Sequence, residues 1–121
     1  MTTQEQVKKA VSDFVRAGDT NDVALLDDVL NTQFQNVQDG FFEEKGIFVF
    51  SKEDYKKLVE TKRFGGVART IEFGPIDISG HMAHVKVRLE SEFLVFNSSL
   101  LLVKEGEWWT VIHNIPKIEK K

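Results

Sequence analysis

Cysteine is missing from all 121 residues, which excludes disulfides and thiolate metal sites and makes a reducing, cytoplasmic setting the expectation. Neither sign of charge prevails: 16 Lys and Arg stand against 19 Asp and Glu, a formal net charge of −3. A nucleic-acid surface needs a basic stripe, and the one basic cluster, Lys117, Lys120 and Lys121, reads as a solvated tail. No apolar run nears the roughly 20 residues that cross a bilayer. The polar start, Met1-Thr2-Thr3-Gln4-Glu5, lacks the basic and apolar regions of a signal peptide. Nucleic acid and membrane are therefore not expected partners. Aromatic hydroxyls are also scarce, with one Tyr beside 10 Phe and 2 Trp. That skew builds bulky apolar walls with few polar handles.

Catalytic and metal signatures are equally thin. No Gly-rich phosphate loop and no Ser or Thr on a nucleophile elbow is present. Gly65-Gly66 precedes a strand, the wrong order for a phosphate held at a helix N-terminus. His81 and His84 are three apart on a strand, hence on opposite faces, with no third ligand near in sequence. Neither a metal nor a cofactor is expected.

What is present is a clear order of elements within one domain, residues 1–121. Thr2 and Glu5 form a capping-box pattern ahead of an apolar stripe at Val7, Ala10, Val11, Phe14 and Val15, which predicts a helix ended by a left-handed Gly18. A second, shorter helix follows, capped within Asp19-Thr20-Asn21 and stopped at Asn31. Phe34 to Gln38 is a strand running to a hairpin turn at Asp39-Gly40. Phe41 to Phe50 returns, broken at Glu43-Glu44-Lys45-Gly46. Ser51 and Asp54 open a third helix over Lys52 to Lys62. The remainder is a meander: Val67 to Ile78 with a break at Gly74-Pro75, then His81 to Glu90, with Ala83, Val85, Val87 and Leu89 on one face. A turn near Ser91-Glu92 keeps the next strand to ordinary length. Glu105-Gly106 makes the last hairpin, leading into Trp108 to Ile115. The order ααββαββββ is α+β: a curved, antiparallel-rich mixed sheet wrapped around the N-terminal helices.

Three stretches resemble a known family: Val37-Gln38-Asp39-Gly40, Ser51-Lys52-Glu53-Asp54-Tyr55, and Leu100 to Ile112 with its Glu105-Gly106-Glu107-Trp108-Trp109. Together with the element order they are similar to the cone-shaped α+β fold of the nuclear transport factor 2-like superfamily, nearest its branch labelled "putative lumazine-binding". The resemblance spans nearly the whole chain. It implies an apolar pocket between sheet and helices and, on the outer sheet face, a homodimer contact. The superfamily includes ketosteroid isomerases and polyketide cyclases. An isomerase resemblance would imply a carboxylate base on the first strand and a hydroxyl donor on helix one. This chain has Gln35, Asn36, Val37 and Gln38 at the first place and Phe14 at the second.

The candidate site follows from strand alternation. With Trp109 inward, Val111, His113 and Ile115 share its face. His113 there is either a general base or ligand-orienting group, or a histidine satisfied within the core or at the rim. Asn36 and Gln38 share a face of the first strand, and they either meet the polar edge of a flat heterocycle or lie exposed on an edge strand. Asn97, if inside, joins them. Phe14, Phe34, Trp109 and Ile115 supply walls, and Tyr55 brings its hydroxyl to the pocket mouth. Trp108, opposite in parity to Trp109, faces out and with Ile112 marks the homodimer face. The expected function is binding of a small, flat, partly polar molecule. The alternatives are a lyase or isomerase using His113 as base, and a non-catalytic homodimeric interaction module whose pocket is filled by Phe34, Phe48 or Phe50.

Overall fold

The computed structural model describes residues 1–121. Helix α1, Thr3–Asp19, opens on the capping box the sequence announces: Glu5 N donates to Thr2 Oγ1 at 3.1 Å and Thr2 N to Glu5 Oε1 at 3.2 Å. Its buried stripe is Val7, Ala10, Val11, Phe14 and Val15, extended by Ala17 and Gly18. Gly18 is not the left-handed terminator. The helix runs one residue past it, and the positive φ (52°) falls on Asn21, whose Nδ2 donates to the carbonyls of Val59 (2.9 Å) and Phe64 (3.0 Å). Asp22, outside the predicted cap, caps α2, Val23–Val29, by accepting from Leu25 N at 3.1 Å. Strand β1, Leu30–Phe41, follows α2 directly, so Asn31 lies in the strand instead of stopping the helix.

β2, Glu44–Ser51, pairs antiparallel with β1, and Ser51 caps α3, Lys52–Glu60, through its own box with Asp54. β3 (Thr70–Ser79), β4 (Met82–Glu90), β5 (Leu94–Glu105) and β6 (Trp108–Lys120) form the meander. The spatial order is β2-β1-β6-β5-β4-β3, with β1 and β6 the one parallel pair. The element order is the expected ααββαββββ. The β4–β5 turn lies where strand length demanded it: Ser91 Oγ accepts from Phe93 N (3.2 Å) and Leu94 N (3.0 Å). Gly74-Pro75 is a bulge, because the β3–β4 register jumps between Phe73 and Ile76.

Two register features depart from the sequence reading. The β1–β2 loop is Phe42-Glu43, not Asp39-Gly40; Phe41 pairs Glu44, and Gly40 (φ 90°) sits in an irregularity of β1. Phe42 then takes a positive φ (54°) at a loop position where glycine is usual. In β6, Val111 pairs Leu102 and His113 pairs Leu101, so Ile112 is one residue too many. This bulge exchanges the faces of everything after it.

The core gathers 19 buried side chains between the inner sheet face and the helices, including Leu26, Val59, Val85, Leu100, Leu102 and Val111. Burial at about 25 cal/mol per Å² of apolar surface makes this the main stabilising contribution.

Candidate functional site

The helices do not cover the inner face of the sheet completely. Between it, α1, α3 and the loop after α3 lies a cavity of about 400 Å³. Such a volume is in the range that holds small organic ligands. Aromatic side chains reach it from separate elements: Phe14 from α1, Tyr55 from α3, Phe64 from the loop after α3, and Phe96 from β5. Tyr55 stacks on Phe14 with ring centroids 6.0 Å apart and meets Phe64 at 5.6 Å. At the mouth stand the exposed Phe42 and Phe93, and Arg63 lies over the Phe42 ring at 5.1 Å.

The polar lining is a row of amides on the two central strands. Asn36 and Asn114 are register partners across the parallel β1–β6 pair, and Asn114 Nδ2 donates to Asn36 Oδ1 at 2.8 Å. Asn36 Nδ2 donates to Gln38 Oε1 at 2.7 Å, and Gln38 Nε2 to the Gly40 carbonyl at 3.0 Å. All three side chains are buried, and Asn114 Oδ1 has no partner in the chain.

Of the four charged side chains that line the cavity, Arg69 is held in an ion pair, whereas Asp39, Arg63 and Lys120 are in none. Arg69 donates through Nε to Asp19 Oδ1 (2.6 Å), through its backbone N to Asp19 Oδ2 (3.1 Å), and through Nη2 to the Val15 carbonyl (3.2 Å). Its guanidinium also lies 4.9 Å from the centre of the Phe96 ring. Burial pushes the Tyr55 phenol above its ordinary value, with the Arg69 charge opposing and Asp19 adding. The Tyr55 hydroxyl is therefore neutral and stays a donor near neutral pH. Outside the cavity lining, Glu90 binds Lys121 and Arg88, which together hold its carboxyl down to about 2. This ion pair ties the end of β6, whose Ile118 and Lys120 line the cavity, to β4.

Of the residues expected at the site, Phe14, Asn36, Gln38 and Tyr55 line the cavity. Phe34 is buried behind the lining, 6.2 Å from the Phe14 ring and 5.3 Å from Tyr55. Trp109 is buried in the core away from the cavity, with an unpartnered Nε1. His113 and Ile115 are corrections: the Ile112 bulge turns both to the outer face, where His113 stands beside Gln35 and Ile115 is half exposed. Asn97 is exposed on the same outer face, opposite Arg88. Trp108 is fully outward at 76% exposure, while Ile112 is only partly exposed at its bulge. Phe48 and Phe50 stack beside Phe41 and do not fill the cavity.

Asn114, Phe64 and Arg69 escaped the sequence reading. The adjacent apolar pair Val111-Ile112, which breaks strict alternation, is the signal that would have warned of the face change and brought Asn114 inward.

The sequence model of the family described as "Putative lumazine-binding" matches residues 2–115. Among solved structures, an NTF-2 like protein from Silicibacter pomeroyi DSS-3 superposes with a TM-score of 0.84 at 16% identity, covering 98% of this chain and 100% of that one. An NTF2-like protein from Shewanella baltica OS155 gives 0.83 at 15%, covering 100% and 99%. A protein with a cystatin-like fold from Caulobacter vibrioides gives 0.70 at 13%, covering 96% and 89%. At these identities the likeness is one of fold. No curated protein matches the chain.

Proposed function

The chain belongs to the family described as "Putative lumazine-binding", with the cone-shaped fold of the NTF2-like superfamily, and on that premise we propose that it binds a small, flat, partly polar molecule in the cavity between sheet and helices. One observation carries the reading: despite ten Phe, the space between Phe14, Tyr55 and Phe96 stays open, and a buried row of amides forms one wall of it. Apolar walls with a few convergent polar groups are what a flat heterocycle needs for affinity and for orientation. The family description makes bicyclic heterocycles of the lumazine kind the first compounds to try.

A general base must lie within hydrogen-bond reach of the proton it takes. His113 lies on the opposite side of the sheet from the cavity, so proton transfer by this residue has no geometric support. The reading of a cavity filled by the protein's own Phe rings has none either.

The test is a thermal-shift screen of bicyclic heterocycles and steroids on the protein and on Ser98→Phe, which places a ring in the cavity from its sheet side. A ligand at a hundred times its Kd adds about 2.7 kcal/mol of stability. The expected result is a rise in Tm for at least one heterocycle that disappears in Ser98→Phe. No rise with any compound, or an equal rise in the variant, defeats the reading.

A second copy of the chain covering the outer sheet face belongs to the same proposal. Val49, Val37 and Ile115 stand in adjacent strands on that face, Val49 and Ile115 each about half exposed. Sedimentation equilibrium is expected to report a dimer that Ile115→Glu converts to monomer. A monomeric parent chain would overturn this.

A further inference from the structure

We infer that the cavity selects ring lactams, compounds whose N–H sits beside a carbonyl, and that Asn114 reads that edge. The inference rests on the binding reading above and adds to it the chemistry the ligand must carry.

The argument begins at the Gly40 carbonyl, which can only accept. Gln38, 3.0 Å away, must therefore turn its Nε2 toward it. That leaves Gln38 Oε1 facing Asn36, so Asn36 must present Nδ2. Asn36 Oδ1 then faces Asn114, which must in turn present its own Nδ2. Reversing any one amide sets two oxygens or two nitrogens against each other. A backbone group that cannot reverse thus fixes the sense of the entire row. The row ends on Asn114 Oδ1, buried and without a partner on a residue that lines the cavity.

A buried acceptor left unpaired costs about 1–3 kcal/mol, and a donor arriving from a ligand removes that cost. Water does not reach this oxygen as the side chain stands, so a ligand donor meets it only when the Asn114 amide or its neighbours give way slightly toward the cavity. Three amides aligned head to tail also polarise one another, which makes the terminal oxygen a better acceptor than an isolated amide. Asn114 Nδ2 spends one of its two protons on Asn36 and keeps the other. Asn114 therefore offers an acceptor and a donor on neighbouring atoms. The complement of that pair is an N–H next to a C=O on a flat ring, and the aromatic walls formed by Phe14 and Tyr55 suit the rest of such a molecule.

The experiment compares quinolin-2(1H)-one with its N-methyl derivative by isothermal titration on the parent protein and on Asn114→Leu. The parent is expected to bind the N–H compound at least tenfold more tightly, and the variant to bind the two within a factor of two. Equal affinities in the parent overturn the inference while leaving the pocket reading intact. A preference that persists in Asn114→Leu also overturns it. Binding of neither compound defeats the inference, while a heterocycle from the wider screen still rescues the pocket. Should Asn114→Leu fail to fold, the parent protein decides: the Asn114 side-chain carbonyl ¹³C signal is expected to move with the N–H lactam and stay still with the N-methyl compound. An unmoved carbonyl with the lactam bound counts against the proposal.

Discussion

Gly65→Ala is expected to lose about 4 kcal/mol of unfolding free energy, while Gly80→Ala loses about 1 kcal/mol. Both glycines have positive φ, 78° and 59°, so both substitutions carry the left-handed penalty of an L side chain. Only Gly65 adds a collision. A Cβ there would lie 2.0 Å from the Gly18 carbonyl oxygen and 2.9 Å from its carbon, whereas nothing stands within 4 Å of a Cβ at Gly80. The Gly18 oxygen cannot simply withdraw, because Gly66 N donates to it at 3.1 Å. Asn21 closes the same knot from the other side through its bonds to the carbonyls of Val59, in the last turn of α3, and Phe64, in the loop after it. Relief therefore means separating the end of α1 from the loop that follows α3, both of which line the cavity. Urea unfolding of the two variants checks this. A Gly65→Ala loss no larger than that of Gly80→Ala would show that the knot is soft.

Asp19→Ala is expected to cost about 3 kcal/mol, measured as a lower urea midpoint with an unchanged slope. The side chains of Asp19 and Arg69 retain 12% and 15% of their exposure, so the pair is mostly withdrawn from water. Removing the carboxylate takes two bonds from Arg69 and leaves its guanidinium with the Val15 carbonyl and the Phe96 ring. An exposed pair would be worth well under 1 kcal/mol, so a loss that small would refute the burial argument. Asp19→Asn, which keeps an acceptor for Nε or for the Arg69 backbone N–H, is expected to fall between the two.

The element order was legible because local chemistry and tertiary structure agree over most of the chain. The Thr2–Glu5 and Ser51–Asp54 boxes start helices where they should, and the alternation from Ala83 to Leu89 is the buried face of β4. The inward pair Asn36 and Gln38 was legible for the same reason, since both share parity with the buried Phe34. Legibility ended where one residue is inserted. A two-residue period carries parity along a strand but cannot see a bulge, so Ile112 sent His113 and Ile115 to the wrong side and hid Asn114. Asp39-Gly40 misled in a related way. Its turn chemistry is real, but the strand pair continues past it, and Phe42 accepts the backbone geometry that glycine would take more easily. Phe64 and Arg69 were invisible for another reason: they lie in the loop between α3 and β3, and only the folded chain brings that loop to the wall.

The parallel seam between β1 and β6 joins the first strand of the chain to the last, some eighty residues apart in sequence. Its closure must await β6, and so β1 and β5 each have a bare edge until then. Ordering so long an intervening segment slows assembly relative to a fold of local contacts. During that wait the two edges are open to pairing with strands of other nascent chains. A polypeptide halted before Trp108 would carry both edges permanently, which makes premature termination a greater hazard to this fold than most single substitutions.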